Sequence, residues 1–237
     1  MKTKLKIVNS NRKEMLQKVT SDAQKANLTP PAGDSDKCSQ DVWSVIENQD
    51  GIYSITFELK FDYRELASPA SKYISYFQVR DNSSLGKRKE TNRIKFFGQK
   101  PEALRRPPVL FKIRDEDGNI YVYPAVGHGR GYCFKDEESR QPAIVVDCTS
   151  MPLLDALKFG FEAASKSNSN NDDGRDPEKK ADLIQQCRTA AKFECNKISP
   201  EEMKPILDRF LCGKYGLDKP ELQGFRTDIV NMALEHG

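Results

Sequence analysis

An α+β fold is predicted by three observations. Apolar residues alternate with period two over residues 52–61, a strand–turn–strand pattern closes on Asp117-Gly118, and proline-led helical segments fill the C-terminal part of the chain. With 237 residues there is enough chain for one sizeable domain with an appendage, or for two small domains. The boundaries read from composition are a polar N-terminal arm over 1–42, a mixed α+β domain over 43–172, and a helical region over 173–237.

Taken in order, the spacing predicts a helix over residues 11–26, broken by Pro30-Pro31 and Gly33. In GIYSITFELKFDYREL, Tyr53, Ile55, Phe57, Leu59 and Phe61 alternate with Ser54, Thr56 and Glu58, the signature of a half-buried strand. KYISYFQVR (72–80) reads as another strand or an aromatic-rich edge, and RKETNRIKFFG (88–98) as a short helix or turn. Residues 109–113 and 120–124 form a hairpin about Asp117-Gly118. The loop GHGRG then leads into a short helix over YCFKDEESR. QPAIVVDCT is almost wholly apolar, as a strand covered on both faces is. Leu153, Leu154, Leu157, Phe161 and Ala164 recur with helical spacing, and the Asn-rich stretch 165–176 is a polar linker. Asp176-Pro177 and Ser199-Pro200 place a capping side chain before a proline at the first helical position, and DKPELQGFRTDIVNMALEH supplies a last helix.

Charge narrows the partners. The net charge is +3, yet residues 80–114 hold eleven Lys/Arg against three acids, a local +8 that leaves −5 for the remainder. Such a field draws a polyanion to one place. The candidate nucleic-acid contacts are Lys87, Arg88, Lys89, Arg93, Lys95, Arg105 and Arg106. The six cysteines form no CxxC pair and only two histidines accompany them, which argues against a zinc site and for reduced, buried thiols. No apolar run reaches membrane-spanning length and the N-terminal residues are too polar for a secretory signal, so the expected location is the cytoplasm, with no membrane partner.

AVGHGRGYCF (125–134) concentrates the chemistry. Three glycines either shape a tight strand-to-helix turn, or present backbone amides and the positive end of a helix dipole to an anion. His128 and Arg130 are the side chains that would meet it, Arg130 through a bidentate guanidinium. The order hairpin, GHGR, short helix, buried strand, helix and Asn-rich loop resembles the ParB N-terminal domain and sulfiredoxin superfamily over roughly residues 50–185, where the family carries a G-[HE]-R-R-x-x-A box. Gly127, His128 and Arg130 match that box, while Gly129 stands for its first arginine and Cys133 for its alanine. Asn168, Asn170 and Asn171 are similar to part of the family's second, E-N-x-x-R box. Sulfiredoxin chemistry needs a cysteine just before the histidine, and Gly127 stands there.

What the resemblance implies is a ParB/sulfiredoxin-like small mixed sheet with flanking helices, followed by a C-terminal helical region. It implies a DNA-binding protein with the activity of a metal-dependent DNase using Mg²⁺ or Mn²⁺, His128 and Arg130 being its catalytic residues. Gly127, Gly129, Gly131, Asn168, Asn170 and Asn171 would hold phosphate. The metal ligands are unassigned; the nearest acids are Asp147, Asp172, Asp173 and Asp176. The alternative is a non-catalytic partition-type module gated by a nucleoside triphosphate, with the C-terminal helices as a homodimer contact. A reading from another class is an interaction protein whose basic run meets an acidic protein. No helix-turn-helix with base-reading residues is legible near CGKYGLDKPELQGF, so no sequence specificity is assigned.

Overall fold

The computed structural model describes residues 2–29, 37–78, 97–98, 105–168, 180–193, 199–215 and 217–235. The chain divides into two compact units, one built from Met1–Gln78 and Ser83–Ser167, the other holding Asn168–Gly237.

The first unit contains α1 (Lys2–Lys25), α2 (Lys37–Asn48), β1 (Ser54–Asp62), a 3₁₀ turn (Tyr63–Glu65), α3 (Ile74–Phe77), β2 (Val109–Arg114), β3 (Ile120–Val126), α4 (His128–Asp136), β4 (Arg140–Asp147) and α5 (Leu153–Asn168). The four strands form one mixed sheet in the order β1-β4-β2-β3. β4 runs antiparallel to β1 and parallel to β2, and β2 and β3 are the expected hairpin. Residues 143–146 of β4 are all buried, as an apolar run covered on both faces requires. Side-chain alternation then divides the core. Leu110, Val122, Ala143 and Val145 face Tyr63, Leu66, Tyr132 and Phe134 of the 3₁₀ turn and α4. On the other face Phe111 meets Phe159 of α5 edge-on at 4.9 Å, and Phe77 stacks on Tyr123 at 4.7 Å. Each such side chain contributes about 1.5–3 kcal/mol by leaving water.

Three segments differ from expectation. The N-terminal helix is longer than 11–26, and Leu16, Val19 and Ala23 are buried, so α1 joins the core of the first unit instead of standing off as an arm. It ends where Asn27 turns left-handed (φ 55) and Leu28 N–H donates back to Ala23 O at 3.0 Å. Residues 72–80 form no strand among those described. Tyr73 and Phe77 are both buried, and their spacing of four keeps them on one face in a strand and in a helical turn alike; the chain takes the helical turn over Ile74–Phe77. Finally, α4 begins at His128 and not at Tyr132.

The second unit contains α6 (Lys180–Lys192), α7 (Pro200–Tyr215), a 3₁₀ turn (Pro220–Leu222) and α8 (Gln223–Leu234). Leu183, Cys187, Met203, Leu207, Leu211, Ile229, Val230 and Ala233 form its core. Ser199 and Glu202 make a reciprocal cap, with Ser199 N–H donating to Glu202 Oε2 at 2.8 Å and Glu202 N–H to Ser199 Oγ at 3.4 Å. The Asp176-Pro177 start lies outside the described residues. No described helix is long and apolar enough to cross a membrane.

Candidate functional site

β3 ends at Val126, and Gly127 adopts φ 78, ψ 34, a left-handed conformation that swings the chain straight into α4. Among Gly127, Gly129 and Gly131 only Gly127 has positive φ, so the expected five-residue loop is a one-residue corner followed by helix. Gly131 N–H donates to Gly127 O at 2.9 Å, and a Cβ on Gly131 would stand 3.4 Å from Leu66 Cδ1 and 3.7 Å from Tyr63 Cε1. Gly131 therefore serves close packing and its amide belongs to the helix. The amides of His128, Gly129 and Arg130 form the first turn, where helix geometry supplies no intrahelical acceptor.

Arg130 folds back over this corner. A Cβ on Gly127 would lie 2.7 Å from Arg130 Nη2 and 3.1 Å from its Nε. A guanidinium beside the positive end of a helix is electrostatically adverse, and an anion between them satisfies both.

His128 as a whole is half-buried, but its Nε2 is sealed from solvent with no hydrogen-bond partner among the described residues. Burial pulls its pKa down to about 3, so the ring is neutral near pH 7. With its Nε2 enclosed, the neutral imidazole offers that nitrogen to neither solvent nor substrate in this arrangement.

Strand register decides what surrounds the corner. Val109 pairs with Val126, Val109 also lies beside Ile144, and Asp62 pairs with Arg140. The end of β1, the start of β4, the start of β2 and the end of β3 thus share one end of the sheet. Arg105, exposed, and Arg106, half-buried, lead into β2 there, and Arg105 O accepts Thr29 N–H at 2.7 Å. Arg64 and Arg140 are brought to the same end, and Lys135 donates to Leu66 O and, at 3.4 Å, to Arg64 O. Sequence reasoning missed these three. FDYREL and EESRQP sit outside the basic run, and only the β1–β4 pairing unites them.

Other expected residues are not brought together. Asp147 lies at the opposite end of the sheet, where its Oδ1 accepts Thr149 N–H at 3.0 Å and the Thr149 hydroxyl at 2.6 Å. Asn168 is the last residue of α5, with its side chain outside the described residues. Asn170, Asn171, Asp172, Asp173, Asp176, Lys87, Arg88, Lys89, Arg93 and Lys95 also lie outside them. Among the described residues no three His, Cys, Asp or Glu side chains gather as metal ligands. Cys148 is wholly buried, and burial pushes its thiol well above the ordinary range.

No protein-family model, curated protein or solved structure matches the chain at a significant level.

Proposed function

We propose that the chain is a ParB-like DNA-binding protein that holds a backbone phosphate at the 127–130 corner. One observation carries the reading. The β2–β3 hairpin sets Val109 opposite Val126, so Arg105 and Arg106 of the basic segment stand at the same sheet end as Gly127 and Arg130. In sequence these groups are separated by the whole hairpin. A phosphate at the first turn of α4 would accept from its amides and from Arg130, while the arginines leading into β2 meet neighbouring phosphates.

The reading is binding without cleavage. His128 is neutral and its Nε2 enclosed, and no cluster of three metal-ligating side chains stands among the described residues, so no step is derived through a divalent ion. The nucleoside-triphosphate alternative would use the same 127–131 loop, and the clustering of Arg105 and Arg106 at its sheet end favours the DNA reading.

The test is a salt titration of binding to labelled duplex DNA. The affinity of the wild-type chain should fall log-linearly with salt, by about 0.9 in slope per phosphate contacted. Arg130→Gln should lower that slope by about 1, and the Arg105→Gln/Arg106→Gln pair by up to about 2. No measurable affinity at low salt sinks the proposal. Plasmid incubated with the protein and Mg²⁺ or Mn²⁺ should stay intact; cleavage that disappears in His128→Ala would restore the nuclease reading instead.

A further inference from the structure

Asp62 closes β1 and caps the 3₁₀ turn, and its carboxylate is held by Arg64, two residues on, and by Arg140 of the neighbouring strand. Arg64 grips it as a fork, with Nε 2.9 Å from Oδ1 and Nη2 2.5 Å from Oδ2, while Arg140 Nη2 stands 3.6 Å from the same Oδ2. Oδ1 also accepts Arg64 N–H at 3.1 Å. The hydrogen bond from Arg64 holds the Asp62 carboxyl well below the usual carboxylate range, so it stays ionised. The Arg64 and Arg140 side chains are 59% and 63% exposed and Asp62 only 19%, which places two outward cations around one inward anion. Glu138 also acts on Arg64 electrostatically, but among the described residues Asp62 is the only acid in ion-pair contact with either arginine.

Two guanidinium groups on one carboxylate leave a positive charge over. Their forked donors suit the two free oxygens of a phosphodiester as they suit a carboxylate. The cluster shares a sheet end with the 127–130 corner and lies toward the other end of α4, where Lys135 Nζ donates to Leu66 O. Tyr63, next to Asp62, feels the charge of Arg130, and the ring of Tyr63 is where a Cβ on Gly131 would touch.

We propose that Arg64 and Arg140 form a second phosphate contact for the same DNA backbone, with Asp62 as the resident anion that occupies both guanidinium groups until a phosphate competes for them. The inference rests on the DNA reading of the 127–130 corner, and it names residues outside the basic segment. Asp62 takes the place of a phosphate oxygen pair in the unbound protein and offsets part of the charge, which weakens contacts with smaller or less charged anions. A DNA backbone, offering phosphates along its length to Arg130 and to this pair together, is the ligand best matched to both.

The experiment measures binding of a labelled DNA duplex to the full chain across a potassium chloride series, for the wild type, Arg64→Gln, Arg140→Gln, Asp62→Asn, Arg130→Gln and, as a far-end control, Arg114→Gln. Arg64→Gln and Arg140→Gln should each lower the salt slope by about 1, with Arg114→Gln unchanged. Asp62→Asn keeps an oxygen to cap the turn, and should raise affinity by about 1.5- to 5-fold, the range open to an exposed ion pair. A lowered slope in Arg130→Gln together with wild-type slopes in Arg64→Gln and Arg140→Gln overturns this inference and leaves the corner site standing. The converse pattern removes the corner site, and with it the shared two-contact backbone proposed here. Unchanged or weakened binding in Asp62→Asn, with an unchanged thermal midpoint, overturns the resident-anion role. No DNA binding by the wild type overturns both readings.

Discussion

Gly118 and Gly127 bracket β3 with nearly the same backbone conformation, φ 86 and φ 78, yet their surroundings differ. At Gly118 a Cβ would meet nothing within 4 Å. There the turn is closed by its own residues, with Asn119 N–H donating to Asp115 Oδ1 at 2.7 Å and Gly118 N–H to Asp115 O at 3.1 Å. At Gly127 the same conformation opens a helix beneath a guanidinium. The sheet ends that they mark differ as well. Asp115, Glu116, Asp117 and Asp147 collect at the hairpin end with Lys112 and Arg114, whereas Arg64, Arg105, Arg106, Arg130 and Arg140 collect at the corner end. A left-handed glycine is thus a geometric device, and its chemistry comes from what the fold stacks on it.

Acid should produce the largest effect and should strike the corner end first. The folded His128 takes a proton only near pH 3, whereas the unfolded residue does so near 6.5. Between those values the unfolded chain binds more protons, so stability falls as pH is lowered, by up to about 1.4 kcal/mol per pH unit. Thermal midpoints from pH 7 to 4 should show this slope, and His128→Phe should flatten it. An unchanged slope in that variant would assign the acid sensitivity elsewhere.

Gly127→Ala comes next. It combines left-handed strain with displacement of Arg130, for about 3 kcal/mol lost in denaturant unfolding and a reduced salt slope for DNA. Gly118→Ala meets open space, so it should lose only about 1 kcal/mol and leave DNA affinity unchanged. Equal losses at the two glycines would remove the contrast between the ends. The smallest effect is expected from Asp115→Ala, about 0.5–1 kcal/mol from the broken side-chain turn, again without effect on DNA.

Much of the sheet was legible in the sequence because the signals were local. Alternation gave β1 up to its bulge between Glu58 and Phe61, Asp117-Gly118 gave the hairpin, and the apolar run gave β4. The segment 72–80 misled because aromatic residues favour strands, and the spacing of Tyr73 and Phe77 fits one face of a strand and of a helical turn alike. At the candidate site, Gly127 and Arg130 could be singled out from their motif. The roles of Gly131 and His128 could not, since one depends on the approach of Tyr63 and Leu66 and the other on how the ring is enclosed.

By itself the sequence determined the α+β class, the hairpin, the helical C-terminal region and the uneven charge, because propensity, periodicity and formal charge are properties of neighbouring residues. Only the tertiary structure decided that β4 lies between β1 and β2. That pairing carries Arg140 to Asp62, whereas Arg64 reaches Asp62 from two residues away and the β2–β3 hairpin brings Arg105 and Arg106 to the sheet end of the 127–130 corner. Strand order is fixed by which apolar faces bury one another over long chain separations, and no local pattern records that choice.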